Sequence, residues 1–277
     1  MNSLIPFIKA HGNGNDVILL IKEKCPDFIT RPEFIQNICK RRTGIGSDCV
    51  IILSKNSKYD FKMDYYNADG TWETFCANGA RCAVKYLYQK AIIGKESNFL
   101  SGDGEHKAII ENDNISIRMN KPKFKSEKLE VNNFQGYVID SGAQHFCINL
   151  DQIMINNNLE KIGMEIRQSE IFMPKGINVN FFQILDNQTL KVYTYEKGVE
   201  KLMLSCGSGS AACAFFASKK YEMLNPIKTI SEGGNLVISF NDDWSDVWIQ
   251  GNSIILFESH INFEFKNNYY QDTNYRN

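Results

Sequence analysis

Apolar and polar residues are arranged along this chain in many short runs, few of them long enough for a helix. Residues 17–21 (Val-Ile-Leu-Leu-Ile) and 50–53 are wholly apolar and bounded by turn residues, the pattern of buried strands. Residues 60–65 alternate with period two, as a half-buried strand does. Further short strands are expected at 107–111, 115–119, 136–139, 146–150, 180–185, 190–195, 235–240, 246–250 and 253–257. Residues 32–40 fit a short helix with Thr30 as its cap and Pro32 in its first turn. Ala80, Ala83, Val84, Leu87, Tyr88 and Ala91 recur with helical spacing, and 159–168 reads as another helix. Residues 211–217 (Ala-Ala-Cys-Ala-Phe-Phe-Ala) are apolar on every side, which calls for a helix buried all round.

The plan occurs twice without a letter-by-letter repeat. Each half holds many short strands and one apolar helix, and each such helix follows a turn of small residues containing a cysteine. These turns are Phe75-Cys76-Ala77-Asn78-Gly79 and Ser205-Cys206-Gly207-Ser208-Gly209. Regular alternation of strands with long helices is missing, which argues against a doubly wound parallel sheet. The expectation is an α+β protein of two pseudo-symmetric domains, each a curved, mostly antiparallel sheet wrapped around a central apolar helix. Pro122 and the charged run 121–130, read as a solvated linker, divide domains at 1–121 and 122–263.

Composition narrows the function. With 277 residues, 43% of them hydrophobic, the chain can bury two cores. A net charge of −1 offers no electrostatic reason to bind nucleic acid or an anionic membrane. No run approaches the roughly 18 apolar residues of a membrane span, and residues 1–9 lack the features of a signal peptide. The expected location is the cytoplasm, where the eight cysteines stay reduced. They form no CxxC, and with only four histidines no metal is expected.

Cys76 and Cys206 each look onto the unpaired N–H groups and positive dipole end of a helix. That setting lowers a thiol pKa and suits the group to acid–base work near neutral pH. If the two helix starts face each other across a cleft, an anionic group between them receives N–H bonds from both ends. One thiolate can then take a proton from carbon while the opposite thiol returns one to the other face, inverting the centre. This scheme needs no cofactor, and the chain shows no GxGxxG after a strand and no P-loop. Motif inspection alone is silent on pyridoxal phosphate.

Seven segments in order carry a resemblance: Lys9 to Asp16, Arg42 to Asp48, Tyr66 to Gly70, Cys76 to Cys82, Asn178-Val179-Asn180-Phe181, Tyr195 to Gly198, and Cys206 to Gly209. Over nearly its whole length the chain resembles the diaminopimelate epimerase family, within a fold group that includes proline racemases and phenazine-pathway isomerases. The resemblance implies a cofactor-independent enzyme that interconverts LL- and meso-diaminopimelate in bacterial lysine and cell-wall synthesis. Cys76 and Cys206 are then the acid/base pair, and backbone N–H groups around Ala77-Asn78 and Gly207-Ser208 hold the reacting carboxylate. Asn15, Asn67, Asn178, Glu196 and Lys197 contact the substrate. The site lies between the domains, the tail 264–277 returns to the first domain, and a homodimer is the expected assembly.

The chain departs from the family's pattern at several places. Ala77 replaces the usual glycine after the first cysteine, and Lys197 replaces an arginine, losing its bidentate fork. Ala143-Gln144 stands where an asparagine and a proline are usual. These changes fall mostly at the non-reacting end of the site, so an epimerase or racemase for another amino acid is the alternative. A phenazine-type isomerase is disfavoured by the presence of both cysteines. A different class, a redox sensor or ligand-binding protein using a Cys76–Cys206 disulfide, is the third reading. His11 is expected to brace its turn, His145 to orient a loop or a cysteine, Arg81 to be structural, and Cys82 and Cys213 to pack inside their helices.

Overall fold

The computed structural model describes residues 4–150 and 158–262. β1 (Ile5–Gly12) and β2 (Asn15–Ile21) form a hairpin. Its turn residues Asn13 and Gly14 both have positive φ, 52° and 80°, which an Asn-Gly pair adopts readily. α1 (Pro32–Cys39) crosses to β3 (Cys49–Ser54), parallel to β2, and β4 (Phe61–Asn67) returns antiparallel. β5 (Trp72–Glu73) turns back along β4 and leads into α2 (Ala77–Gln89). β6 (Glu96–Ser101) is parallel to β4, and β7 (Gly104–Glu111) and β8 (Asn114–Met119) follow antiparallel.

The second half begins with β9 (Lys123–Phe124) and β10 (Leu129–Val131), both paired to β11 (Phe134–Asp140). β12 (Gln144–Asn149), α3 (Leu159–Arg167), β13 (Asn178–Asp186), β14 (Thr189–Glu196) and β15 (Lys201–Met203) come next. α4 (Gly207–Tyr221), β16 (Ile227–Ser231), β17 (Gly234–Phe240) and β18 (Val247–Gly251) complete the half. From β11 to β18 the parallel and antiparallel neighbours repeat those of β1 to β8, strand for strand. β8 pairs antiparallel with β18, so equivalent strands form the seam between the halves. β19 (Ile254–Ile261) crosses back to pair with β1. The fold is thus α+β, a curled and mostly antiparallel sheet with few helices.

One large core encloses α2 and α4 together, including Ala80, Cys82, Val84 and Leu87 of the first and Cys213, Phe215 and Phe216 of the second. Smaller clusters lie on the other faces, under α1 and under α3. β2 and β3 are therefore buried on both faces, which explains their unbroken apolar runs. Cys82 and Cys213 are fully buried in these helices. No described helix is long and apolar enough to cross a membrane.

Several strands are absent from the sequence reading. β1 is interrupted by Pro6 and Lys9; the buried Lys9 places its ammonium 2.6 Å from Asp16 and also donates to the Gly46 carbonyl. β6 turns small polar residues inward, with Ser97 and Ser101 buried beside Phe99. β16 mixes Thr229 with Ile227 on its buried face. The charged run 121–130 is not a bare linker: it supplies β9 and β10, short edge strands whose charges face water. Thr30 does not cap α1; Arg31 holds that position and the Thr30 hydroxyl donates to the Asp27 carbonyl (3.3 Å). The tail 264–277 lies outside the described residues.

Candidate active site

Cys76 and Cys206 are the N-caps of α2 and α4, with φ/ψ of −135/108° and −132/113°. Each sulfur accepts the N–H of the third residue of its helix, Gly79 at 3.3 Å and Gly209 at 3.4 Å. The remaining N–H groups of each first turn have no intrahelical acceptor. The two helix starts abut: a Cβ built on Gly207 would stand 2.8 Å from the Ala77 methyl. Only glycine fits at 207 while residue 77 carries a methyl.

Around these helix starts lies a cleft of about 270 Å³ whose walls come from both halves. Every residue expected from the sequence to be catalytic or to bind substrate lines it: Asn15, Asn67, Cys76, Ala77, Asn78, Asn178, Glu196, Lys197, Cys206, Gly207 and Ser208. The repeat explains the convergence. The β1–β2 and β11–β12 turns contribute Asn15 and Gly142 to Gln144, and the ends of β4 and β14 contribute Asn67 and Glu196.

The two thiols sit in different electrostatic surroundings. The neighbouring Cys49 thiol holds the Cys76 thiol below its ordinary range, against the opposing effect of burial, with help from the Gly79 N–H and the Arg81 charge; the Cys76 thiol also stands 3.9 Å from Asn15 Oδ1. Arg81 is fully buried and donates to Asn78 Oδ1 (2.6 Å), Asn13 Oδ1 (3.0 Å) and the Ala77 carbonyl (3.3 Å). Asn78 in turn donates to Asn15 Oδ1 and to the Ser205 carbonyl, both at 3.3 Å, tying α2 to the turn before Cys206. Asn15 donates to Asp48 (3.1 Å), which Arg41 holds together with Asp16.

Burial and the charge of Glu196 push the Cys206 thiol up to about 12. Its sulfur lies 3.5 Å from Ser208 Oγ, which lies 2.9 Å from His145 Nε2. His145 Nδ1 lies 2.7 Å from Asn180 Oδ1, and Asn180 donates to Thr194 Oγ1 (2.6 Å). With an amide oxygen at Nδ1, the proton belongs on that nitrogen and Nε2 is left to accept from Ser208. Burial pushes the His145 imidazole down to about 4, so it is neutral near pH 7. His11 takes no part in the cleft; its Nδ1 accepts from the Gly14 N–H (3.3 Å) and braces the turn.

At the far end of the cleft, burial and the charges of Cys76, Asp48 and Glu73 push Glu196 up to about 8. Asn178 accepts from the Lys197 N–H (2.9 Å) and donates to the Gln144 carbonyl (3.2 Å). Lys197 Nζ stands 3.7 Å from Glu73, across the cleft, and Tyr65 donates to Asn67 Oδ1 (2.5 Å). Among the described residues no group of three or more His, Cys, Asp or Glu is placed to hold a metal ion.

The family model for diaminopimelate epimerase matches residues 7–125 and 137–253. The chain belongs to the diaminopimelate epimerase family. The diaminopimelate epimerase of Aquifex aeolicus is 32% identical over 274 residues, covering 93% of this chain and 98% of that protein. That of Flavobacterium psychrophilum is 35% identical over 262 residues, covering 91% and 98%. Among solved structures, a hydroxyproline epimerase from Agrobacterium vitis superposes with a TM-score of 0.75 at 14% identity, covering 94% of this chain and 93% of its own. A Bacillus anthracis phenazine biosynthesis protein of the PhzF family gives 0.68 at 11% identity, covering 93% and 99%. These two likenesses speak to the fold alone.

The cleft also takes in residues that sequence reasoning missed. Tyr65, Glu73, Thr74, Phe75 and Lys175 line the same space. Phe75 stacks 4.1 Å from His106, which bonds Asp103 (2.8 Å) and so stiffens the approach to Cys76. Asp48 ends a recognised motif, which marks it, but nothing in the spacing of Cys49 points at Cys76; only the fold brings them together. The family's usual asparagine and arginine are replaced here by Ala143 and by a lysine bound to Glu73.

Proposed function

We propose that this protein is a cofactor-independent epimerase that interconverts LL- and meso-diaminopimelate through Cys76 and Cys206. The observation that carries the reading is the pair of thiols N-capping two helices whose first turns abut in one cleft. The reacting carboxylate lies between the helix starts, where N–H groups of Ala77, Asn78, Gly207 and Ser208 stabilise the charge that spreads onto it as the α-proton leaves. Cys76 is the more acidic of the two thiols and acts as the base, with Cys206 as the acid. Cys76 takes the α-proton from one face and Cys206 delivers its own to the other. The enzyme then holds Cys76 as thiol and Cys206 as thiolate, and it resets by exchanging protons with water once product has left. Asn67, Asn178, Glu196 and Lys197 receive the distal amino-acid end, and Asn15 holds the reacting side.

The thiols must be reduced for this chemistry, and all eight cysteines are free, which supports a cytoplasmic location. A homodimer belongs to the same reading. Its support is β19, an edge strand on which Ile254, Leu256 and Phe257 are about half exposed; sedimentation velocity tests it.

The deciding experiment incubates the reduced protein with LL-diaminopimelate in D₂O and follows the products by chiral chromatography and mass. Both isomers are expected, with deuterium at the inverted carbon, and no conversion by reduced protein would sink the substrate assignment. The second reading, an epimerase of another amino acid, is favoured by Ala143, Gln144 and Lys197 at the far end. It predicts α-proton exchange with a different amino acid and none with diaminopimelate.

A further inference from the structure

Asn15 lines the cleft, and both ends of its side-chain amide are engaged by buried partners. Its Oδ1 accepts from Asn78 Nδ2 (3.3 Å) and from the Cys76 thiol (3.9 Å). Its Nδ2 donates to Asp48 Oδ2 (3.1 Å). The direction of this chain follows from its two ends. Arg81 has only donors, so the Asn78 oxygen faces it (2.6 Å), which leaves the Asn78 NH₂ for Asn15 and the Ser205 carbonyl. At the other end both Asp48 oxygens accept, Oδ2 from Asn15 and the Asp16 N–H (3.4 Å), and Oδ1 from Arg41 (2.5 Å). Turned over, the Asn15 amide would set NH₂ against NH₂ and oxygen against carboxylate. Asn15 and Asn78 are 6% and 3% exposed, so water would not make good the loss.

The repeat shows that this support belongs to one side of the cleft. Val17 opens the parallel ladder of β2 on β3, opposite Cys49, and His145 opens that of β12 on β13, opposite Asn178. Counting back from these pairs equates Asn15 with Ala143 and Asp48 with Ile177. Where the turn carries no amide, the second half has a buried apolar side chain in place of the carboxylate. Aspartate accompanies asparagine.

We propose that Asp48 is the positioning residue for Asn15: by accepting from Nδ2 it holds the amide with its oxygen toward Cys76 and the cleft. An oxygen in that place receives only a donor, which on the reacting side of an amino acid is the ammonium group or the Cys76 S–H. Arg41, half exposed, bonds both Asp48 and Asp16, and Lys9 bonds Asp16 in turn (2.6 Å). The catalytic consequence rests on the two-thiol reading, but the fixed amide can be observed without substrate.

The test uses the reduced full chain and its variants D48A, D48N, R41A, N15A and N15A/D48A, each shown to be folded by circular dichroism and melting temperature. D48A removes the acceptor. D48N keeps one oxygen for Asn15 and gives up the ion pair with Arg41, and R41A gives up that pair alone. The first readout is NMR of ¹⁵N-labelled protein, in which the Asn15 NH₂ signals are those lost in N15A. Their exchange with water is expected to quicken at least tenfold in D48A and to stay near the parent rate in D48N and R41A. With LL-diaminopimelate, kcat/KM should fall about ten- to hundredfold in D48A, because a buried NH₂ is left unpaired, and be mostly retained in D48N and R41A. N15A/D48A should be no slower than N15A, since Asp48 acts through Asn15. Unchanged Asn15 signals in folded D48A overturn the proposal, as does additive loss in the double variant. A loss in D48N or R41A as large as in D48A also overturns it, because the ion pair and not the amide bond would then be the support. Should D48A not fold, D48N and R41A decide: both must keep the slow exchange of Asn15. Absence of epimerisation by the parent protein would instead overturn the function, with the NMR series still readable.

Discussion

Cys76 and Cys206 hold equivalent backbone positions, so their difference comes from neighbouring side chains. Cys76 is held low while Cys206 is pushed up to about 12. Iodoacetamide at about pH 7.5 should therefore modify Cys76 at least tenfold faster than Cys206, and equal labelling would contradict this order of acidity. Replacing either by alanine should lower inversion by about 10²–10⁴-fold, the usual worth of a proton-transfer group. C206A should still exchange the α-proton of one isomer in D₂O, because Cys76 remains to remove it. Glu196 supplies a third test at this scale. Its folded pKa of about 8 lies above the ordinary carboxylate value, so the folded state holds a proton that the unfolded chain has lost. Stability from this group is present below about pH 4.5 and is lost as pH rises through about 8. The melting temperature of E196Q should accordingly gain on that of the parent between about pH 5 and 8.5, and a constant difference would count against the buried carboxyl.

Between elements, the contact to examine is that of the two helix starts. The Ala77 methyl fills the space in which a Gly207 side chain would sit, with Ile249 Cδ1 3.2 Å from the same point. G207A should overpack the junction, at a cost of about 1–3 kcal/mol, and part the N–H groups that receive the carboxylate. In the double variant A77G/G207A the methyl has only changed sides, and most of the activity should return. Additive losses in stability and kcat/KM would show that the two positions do not compete. Much of this element-level plan was legible in the sequence, and the reasons are local. The cysteine turns announced helix starts because small residues precede periodic apolar runs, and β2, β3 and α4 announced themselves because they are buried on more than one side. β1, β6 and β16 were not legible, because Lys9, Ser97, Ser101 and Thr229 are polar residues that the fold buries. The reacting end of the site could be read from motifs. His145 could be named from its motif, but its contacts with Ser208 and Asn180 exist only once the strands are registered.

At the scale of the molecule the halves are tied by more than a linker. α2 and α4 share one core, β8 pairs with β18, and β19 returns to pair with β1. A substrate site made from both halves needs such coupling, since the abutting helix starts hold their spacing only while both sheets are closed. Unfolding should consequently be one cooperative event despite the chain's length. Fluorescence offers reporters in both halves: Trp72 in the first, and in the second Trp244, fully buried, with Trp248. Urea midpoints from tryptophan fluorescence and from far-UV circular dichroism should coincide. Ile249 of β18 probes the coupling directly, because it is fully buried, pairs in register with Ile117 of β8 and packs against Gly207. I249A should lower stability by about 2–5 kcal/mol and move both midpoints together. Two separated transitions, or a shift confined to one of them, would mean that the halves fold independently and meet only at the cleft.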